Sequence, residues 1–199
     1  MNTKSFSQVP QDTYDYLLAG VPFFKMVKQD DPAQYQTLLR ASNLQTYQSG
    51  DVVVRRGDEG NWLYFLLKGK LAVYADEALQ GSLINYVTPG EVFGDLSQLV
   101  GAPRTATVIA DSSAKESIVL ALDCNIFGPL ECFTPISLAT KSTYYRNTAH
   151  HLRWKLEVYR AQYLQHPLAN KHRQIKLYLG EKDTVDELKS LFSQSKLLA

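Results

Sequence analysis

Histidine is absent from the first 149 residues of this 199-residue sequence, and cysteine occurs only twice, at Cys124 and Cys132. The missing histidines exclude a metal-dependent jelly-roll enzyme, whose site needs imidazole and carboxylate ligands inside the barrel. Two thiols are too few for an iron–sulfur cluster, which takes about four. They are also too few for a disulfide framework, so a reduced pair is expected. No stretch approaches the ~18 consecutive apolar residues of a membrane span. The opening residues, MNTKSFSQVPQDTYDYLL, lack a basic region followed by an apolar run and a cleavage site, so no signal peptide is expected. Nothing points to haem, and no nucleophile–base pair or metal set stands out. The expectation is a soluble, cytoplasmic protein with no catalysis of its own, no cofactor and no membrane partner.

A strong charge of one sign is missing too. The formal net charge is +1, which gives no global field toward nucleic acid or membrane. The distribution is uneven. Residues 1–140 hold 10 Lys/Arg against 15 Asp/Glu, whereas residues 141–199 hold 11 against 5. Such a split permits a polyanion-binding tail and equally describes solvated helix faces. The hydrophobic fraction of 45% is that of a globular protein.

What is present changes character along the chain. Leu17, Leu18, Phe23, Phe24, Val27, Tyr35, Leu38 and Leu39 recur at helical spacing, broken by Pro22 and Asp30-Asp31-Pro32. Short runs rich in Val, Ile, Tyr and Phe follow, at 52–54, 63–67, 71–74, 83–87, 105–109 and 118–122. Gly50, Gly57, Gly60, Gly69, Gly81 and Gly90 punctuate them. That spacing predicts an all-β barrel or sandwich. Residues 136–165 then contain neither Pro nor Gly. There Tyr145, Ala149, Leu152, Leu156, Tyr159 and Tyr163 repeat with a 4-3-4-3-4 spacing, a heptad seam on a helix roughly 45 Å long. Such a seam suits a homodimer; it also suits a helix lying on its own domain. In the last region, 175–179 reads as strand or helix. Asp183 or Thr184 is placed to cap a final helix with Val185, Leu188, Leu191 and Phe192 on one face.

The chemistry concentrates in GEVFGDLSQLVGAPRTATVIA, residues 90–110. Residues 95–99 can form one helical turn after Phe93-Gly94, and a helix start offers unpaired N–H groups to an anion. Gly94 lets the backbone approach closely. Arg104 brings a forked guanidinium suited to phosphate. Asp95 can accept hydrogen bonds from hydroxyls. A small cyclic phosphodiester with one free ribose hydroxyl satisfies both groups.

This segment resembles the phosphate-binding cassette of cyclic-nucleotide-binding domains, F-G-E-L-A-L followed by P-R-A-A or P-R-T-A. The preceding Gly57-Asp58-Glu59-Gly60, the run Trp62-Leu63-Tyr64-Phe65-Leu66-Leu67 and Gly69 resemble the same family, over roughly residues 20 to 165. The resemblance implies cAMP or cGMP as ligand. It implies a phosphate held by Gly94, Leu96, Ser97, Arg104 and Thr105, with Asp95 on the ribose 2′-OH. Asp95 departs from the usual Glu and reaches roughly 1.5 Å less far. Arg153 and Trp154 fall near where the family helix covers the base. In the catabolite-activator branch the long helix dimerises and a helix-turn-helix follows. Thr184-Val185-Asp186-Glu187-Leu188 resembles the opening of such a motif. The sequence stops at Ala199, where a recognition helix would come, so the expectation is an incomplete motif or a tail of another kind.

The expected fold is α+β: an antiparallel β-roll or jelly-roll barrel with flanking N-terminal helices, a long C-terminal helix and a small appendage. The expected regions are 1–135, 136–166 and 167–199. A cyclic-nucleotide sensor, homodimeric and signalling through its C-terminal helix, is the first functional expectation. A DNA-binding regulator, or an interaction domain for a protein effector that binds no nucleotide, comes behind it.

Overall fold

Apolar residues alternating over short runs need a second layer to cover them, and the N-terminal two-thirds of the chain supplies one. The computed structural model describes residues 2–75, 83–166 and 170–199. Gly81, read above as a turn, and Pro167 and Leu168, read as the start of the last region, lie outside the described residues. The chain divides into two units, Met1–Ile126 and Phe127–Ala199.

The first unit opens with β1 (Asn2–Ser5) and three short helices, α1 (Gln11–Leu18), α2 (Pro22–Asp30) and α3 (Pro32–Arg40). Pro22 and Pro32 do not interrupt helices; each begins one, where its missing N–H costs nothing. Asp31 caps α3, its Oδ1 accepting from the N–H groups of Ala33 and Gln34 at 3.0 and 3.1 Å. The strands follow: β2 (Ser42–Gln48), β3 (Val52–Val54), β4 (Trp62–Lys68), β5 (Leu71–Tyr74), β6 (Leu83–Val87) and β7 (Val92–Phe93). A one-turn helix α4 (Asp95–Val100) precedes β8 (Thr107–Ala110) and β9 (Glu116–Asp123).

These strands form two antiparallel sheets, ordered β1-β2-β9-β4-β7 and β3-β8-β5-β6. Tyr47, Leu66, Phe93 and Val119 from the first sheet share a buried cluster with Val54, Leu71, Val87 and Val108 from the second. Phe23 and Phe24 of α2 reach Phe65 of β4, with ring centroids 6.4 and 5.1 Å apart, and so fix the helices to the first sheet. The α+β class and antiparallel pairing expected from the sequence are present. The described strands make two sheets rather than one closed barrel. β1 has no apolar pattern to announce it: all four of its residues are exposed, and it is held by backbone pairing to β2. β8 starts at Thr107 and not at 105. Arg104 instead pairs with the 57–58 turn, donating its N–H to the Asp58 carbonyl at 2.8 Å and accepting from the Gly57 N–H at 2.9 Å.

The second unit is built on α5 (Leu138–Gln162) and α6 (Val185–Leu198). Ser137 Oγ caps α5, accepting from the Thr140 N–H at 3.2 Å; Thr184 Oγ1 caps α6, accepting from the Glu187 N–H at 3.2 Å. The two helices meet through the Tyr145 and Phe192 rings, 5.3 Å apart, and through Arg146, whose Nη2 donates to both Glu187 oxygens at 2.9 Å. Residues 175–179 form neither strand nor helix; Ile175 and Tyr178 are half-buried, and Leu179 is 93% exposed. Among the described residues, no helix is long and apolar enough to cross a membrane.

Candidate functional site

The site begins where β7 runs into α4. Gly94 joins them with φ at 82°, a left-handed conformation that side chains disfavour. A Cβ there would also lie 2.6 Å from Arg104 Nη1 and 3.2 Å from the Trp62 carbonyl oxygen. Both backbone and space therefore require glycine. Gly60 meets the same cluster from the other side. A Cβ on it would sit 2.7 Å from Ser97 Oγ and 3.3 Å from Arg104 Cζ.

Arg104 is 5% exposed. Its Nη1 donates to the Gly94 carbonyl at 2.7 Å and to Ser97 Oγ at 2.8 Å, and its Nη2 donates to the Trp62 carbonyl at 2.5 Å. The guanidinium also lies 5.5 Å from the centre of the Tyr64 ring. All these partners are neutral. Among the described residues no carboxylate lies within ion-pair distance of Arg104. A cation taken out of water without an anion is costly, and carbonyl dipoles offset that only in part.

Asp95, the first residue of α4, is 3% exposed, and its Oδ2 has no hydrogen-bond partner among the described residues. Gln98 Oε1, one turn along, is buried without a partner as well. The site thus holds a buried cation and a buried acid that do not neutralise each other. The neighbouring groups stay neutral. Burial raises the Tyr64 phenol above its ordinary value, with Arg104 pulling it back in part. Burial pushes the Cys124 thiol up to about 12, again against the pull of Arg104.

The residues singled out in the cassette fall as follows. Gly94, Asp95, Ser97 and Arg104 come together. Leu96 is half-buried on α4, and Thr105 is exposed. Gly60, Trp62, Tyr64 and Gln98 were given no site role in the sequence. The first three carried a signal, since they lie in the glycine-flanked run already noted. Gln98 carried none.

Arg153 and Trp154 belong to the second unit. There Arg153 donates to the His172 and Ile175 carbonyls at 3.2 and 3.0 Å and to Gln194 Oε1 at 3.1 Å, while Trp154 is 57% exposed. The heptad seam is divided. Tyr145, Ala149 and Leu152 are buried within the unit as α5 and α6 pack, and Leu156 is half-buried. Tyr159 and Tyr163 are exposed.

Comparison with known proteins matches residues 44–130 to the family of the cyclic nucleotide-binding domain. The cAMP-dependent protein kinase regulatory subunit of Debaryomyces hansenii is 30% identical over 87 residues, covering 44% of this chain and 18% of the relative. The cGMP-dependent protein kinase 2 of Rattus norvegicus is 32% identical over 103 residues, 52% of this chain and 13% of the relative. The human potassium/sodium hyperpolarization-activated cyclic nucleotide-gated channel 3 is 34% identical over 96 residues, 48% and 12%. The chain thus spans less than a fifth of the length of each of these three. The solved structure of cAMP-bound PfPKA-R superimposes with a TM-score of 0.52 at 21% identity, covering 79% of this chain and 49% of that one, and shares the fold. The solved structure shares the fold, and residues 44–130 of this chain match the model of the cyclic nucleotide-binding domain family.

Proposed function

We propose that this protein is a sensor that binds cAMP or cGMP in the first unit and passes the signal through α5. One observation carries the reading: Arg104 is buried with neutral partners and no anion. A cyclic phosphodiester supplies the missing charge. Its exocyclic oxygens take the guanidinium and the free N–H groups of the first turn of α4, at Leu96 and Ser97. Its ribose 2′-OH donates to Asp95 Oδ2, which otherwise has no partner. Thr105, exposed beside Arg104, reaches the phosphate edge or the base. Binding of this kind needs no bond to be made or broken, so the role is regulatory rather than catalytic.

The test is calorimetry with cAMP and cGMP on the intact protein and on Arg104→Ala. A hydrogen bond to a charged group contributes about 1.5–3 kcal/mol, so the substitution should weaken binding roughly 10-fold to 150-fold. Circular dichroism checks that the variant folds. Absence of heat from wild type at millimolar nucleotide overturns the reading.

A homodimer through α5 is part of this proposal. Exposed Trp154 and Tyr159 on its C-terminal half, with Tyr163 and Leu164 just past its end, support it, because large exposed apolar side chains close together favour a second copy as cover. A DNA-binding output rests on the excess of basic residues after 140 and on the resemblance at 184–188 alone.

A further inference from the structure

We propose that Ser97 occupies the phosphate position of the site and acts as an internal competitor, setting a high ligand threshold. The inference rests on the cyclic-nucleotide reading of the same pocket.

The argument counts hydrogen bonds. A guanidinium has five N–H groups, two on each terminal nitrogen and one on Nε. Both Nη1 donors of Arg104 are engaged, one by the Gly94 carbonyl at 2.7 Å and one by Ser97 Oγ at 2.8 Å. The Gly94 carbonyl is part of the turn that starts α4, and the backbone holds it in place. Ser97 is the partner that a side-chain rotation can remove. Its hydroxyl closes the ring by donating to the same Gly94 carbonyl at 3.3 Å.

Position supports the same conclusion. Ser97 is 3% exposed and sits in the first turn of α4, between the helix start and the guanidinium. An exocyclic phosphate oxygen that uses both of those groups must come to the place of the Ser97 oxygen. Gly60 closes on that oxygen from the far side, where even a Cβ would stand 2.7 Å away. The pocket therefore does not hold the Ser97 hydroxyl and a phosphate oxygen at Nη1 together. In the F-G-E-L-A-L pattern this position is alanine, which has no oxygen to compete.

The ligand accordingly displaces the hydrogen bond from Arg104 to Ser97 before its own anionic oxygen gains the guanidinium. Ser97→Ala removes the competitor and frees one Nη1 donor. Affinity for cyclic nucleotide should rise about 10-fold, near the lower end for one hydrogen bond to a charged group. The gain should disappear in an Arg104→Ala background, where no guanidinium remains to be occupied; a merely structural effect of Ser97 would persist there.

Calorimetry on wild type, Ser97→Ala, Arg104→Ala and the double variant decides it, with thermal unfolding to check folding. Tighter binding by Ser97→Ala that depends on Arg104 supports the proposal. So does tight binding by Ser97→Ala where wild type binds only near millimolar ligand. Wild-type binding with equal or weaker binding by Ser97→Ala overturns it and leaves the cyclic-nucleotide reading standing. An equal gain with and without Arg104 overturns it as well. No binding by wild type or by Ser97→Ala at millimolar ligand overturns both. Should Ser97→Ala fail to fold, Ser97→Gly removes the same oxygen and is read in the same way.

Discussion

At the scale of single residues, the site is arranged around a buried arginine and a buried carboxyl group that do not pair with each other. Arg104 is surrounded by carbonyl and hydroxyl oxygens, and Asp95 by no donor on Oδ2. Asp95 is the weaker half for its proposed task. Its carboxylate stops one methylene short of a Glu, and a hydrogen bond of ~2.8 Å does not survive a stretch of roughly 1.5 Å. Asp95→Glu should therefore tighten binding of cAMP or cGMP about 10-fold, near the lower end for a hydrogen bond to a charged group. The matching 2′-deoxy cyclic nucleotide should gain nothing, because it has no hydroxyl to donate. Titration of both ligands checks the prediction; equal gains, or none, show that Asp95 does not face the ribose.

Among the elements, α5 shows how one pattern is only partly covered within the chain. Its seam keeps a 3.5-residue period from Tyr145 to Tyr163, yet α6 takes up its first half. Phe192 packs edge-on against Tyr145, and Gln194 accepts from Arg153. The second half stays exposed: Tyr159 at 37% and Tyr163 at 54%. Charging Leu152 would test the folding of the second unit rather than association, since that residue is 4% exposed. Tyr159→Glu with Tyr163→Glu is the cleaner probe. A micromolar wild-type solution should scatter light as a dimer and the double variant as a monomer, with helix content unchanged. A wild-type monomer under those conditions removes the dimer from the proposal.

For the whole molecule, the chain divides at 126/127. Gly60, Trp62, Tyr64, Gly94, Asp95, Ser97 and Arg104 all lie in the first unit, which has its own two-sheet core. A fragment of residues 1–126 should therefore fold and keep nucleotide affinity within about 10-fold of the whole chain. Calorimetry on fragment and full chain measures what the second unit adds. A much larger loss would assign part of the ligand contact to Arg153, Trp154 or their neighbours.

Much of this was legible without coordinates, for a local reason. Glycines between β-rich runs, prolines beside helical spacing and a Ser or Thr ahead of an amphipathic stretch act on dihedral angles within a few residues. From them came the order of helices and strands apart from β1, the α+β class, the turn at Gly94 and a cap at Asp183 or Thr184, of which Thr184 is the one used. The cassette named Arg104, Asp95 and Ser97 because their spacing is a property of one loop. Sequence could not say what those side chains would meet. The Trp62 carbonyl lies 42 residues from Arg104, Gly60 is pressed against Ser97, and α6 covers half of a seam that reads the same along its whole length. Periodicity tells that a face must be covered, and a charged side chain tells that it must be paired. Only tertiary structure decides the partner, because desolvation and hydrogen bonding are satisfied between segments distant in the chain.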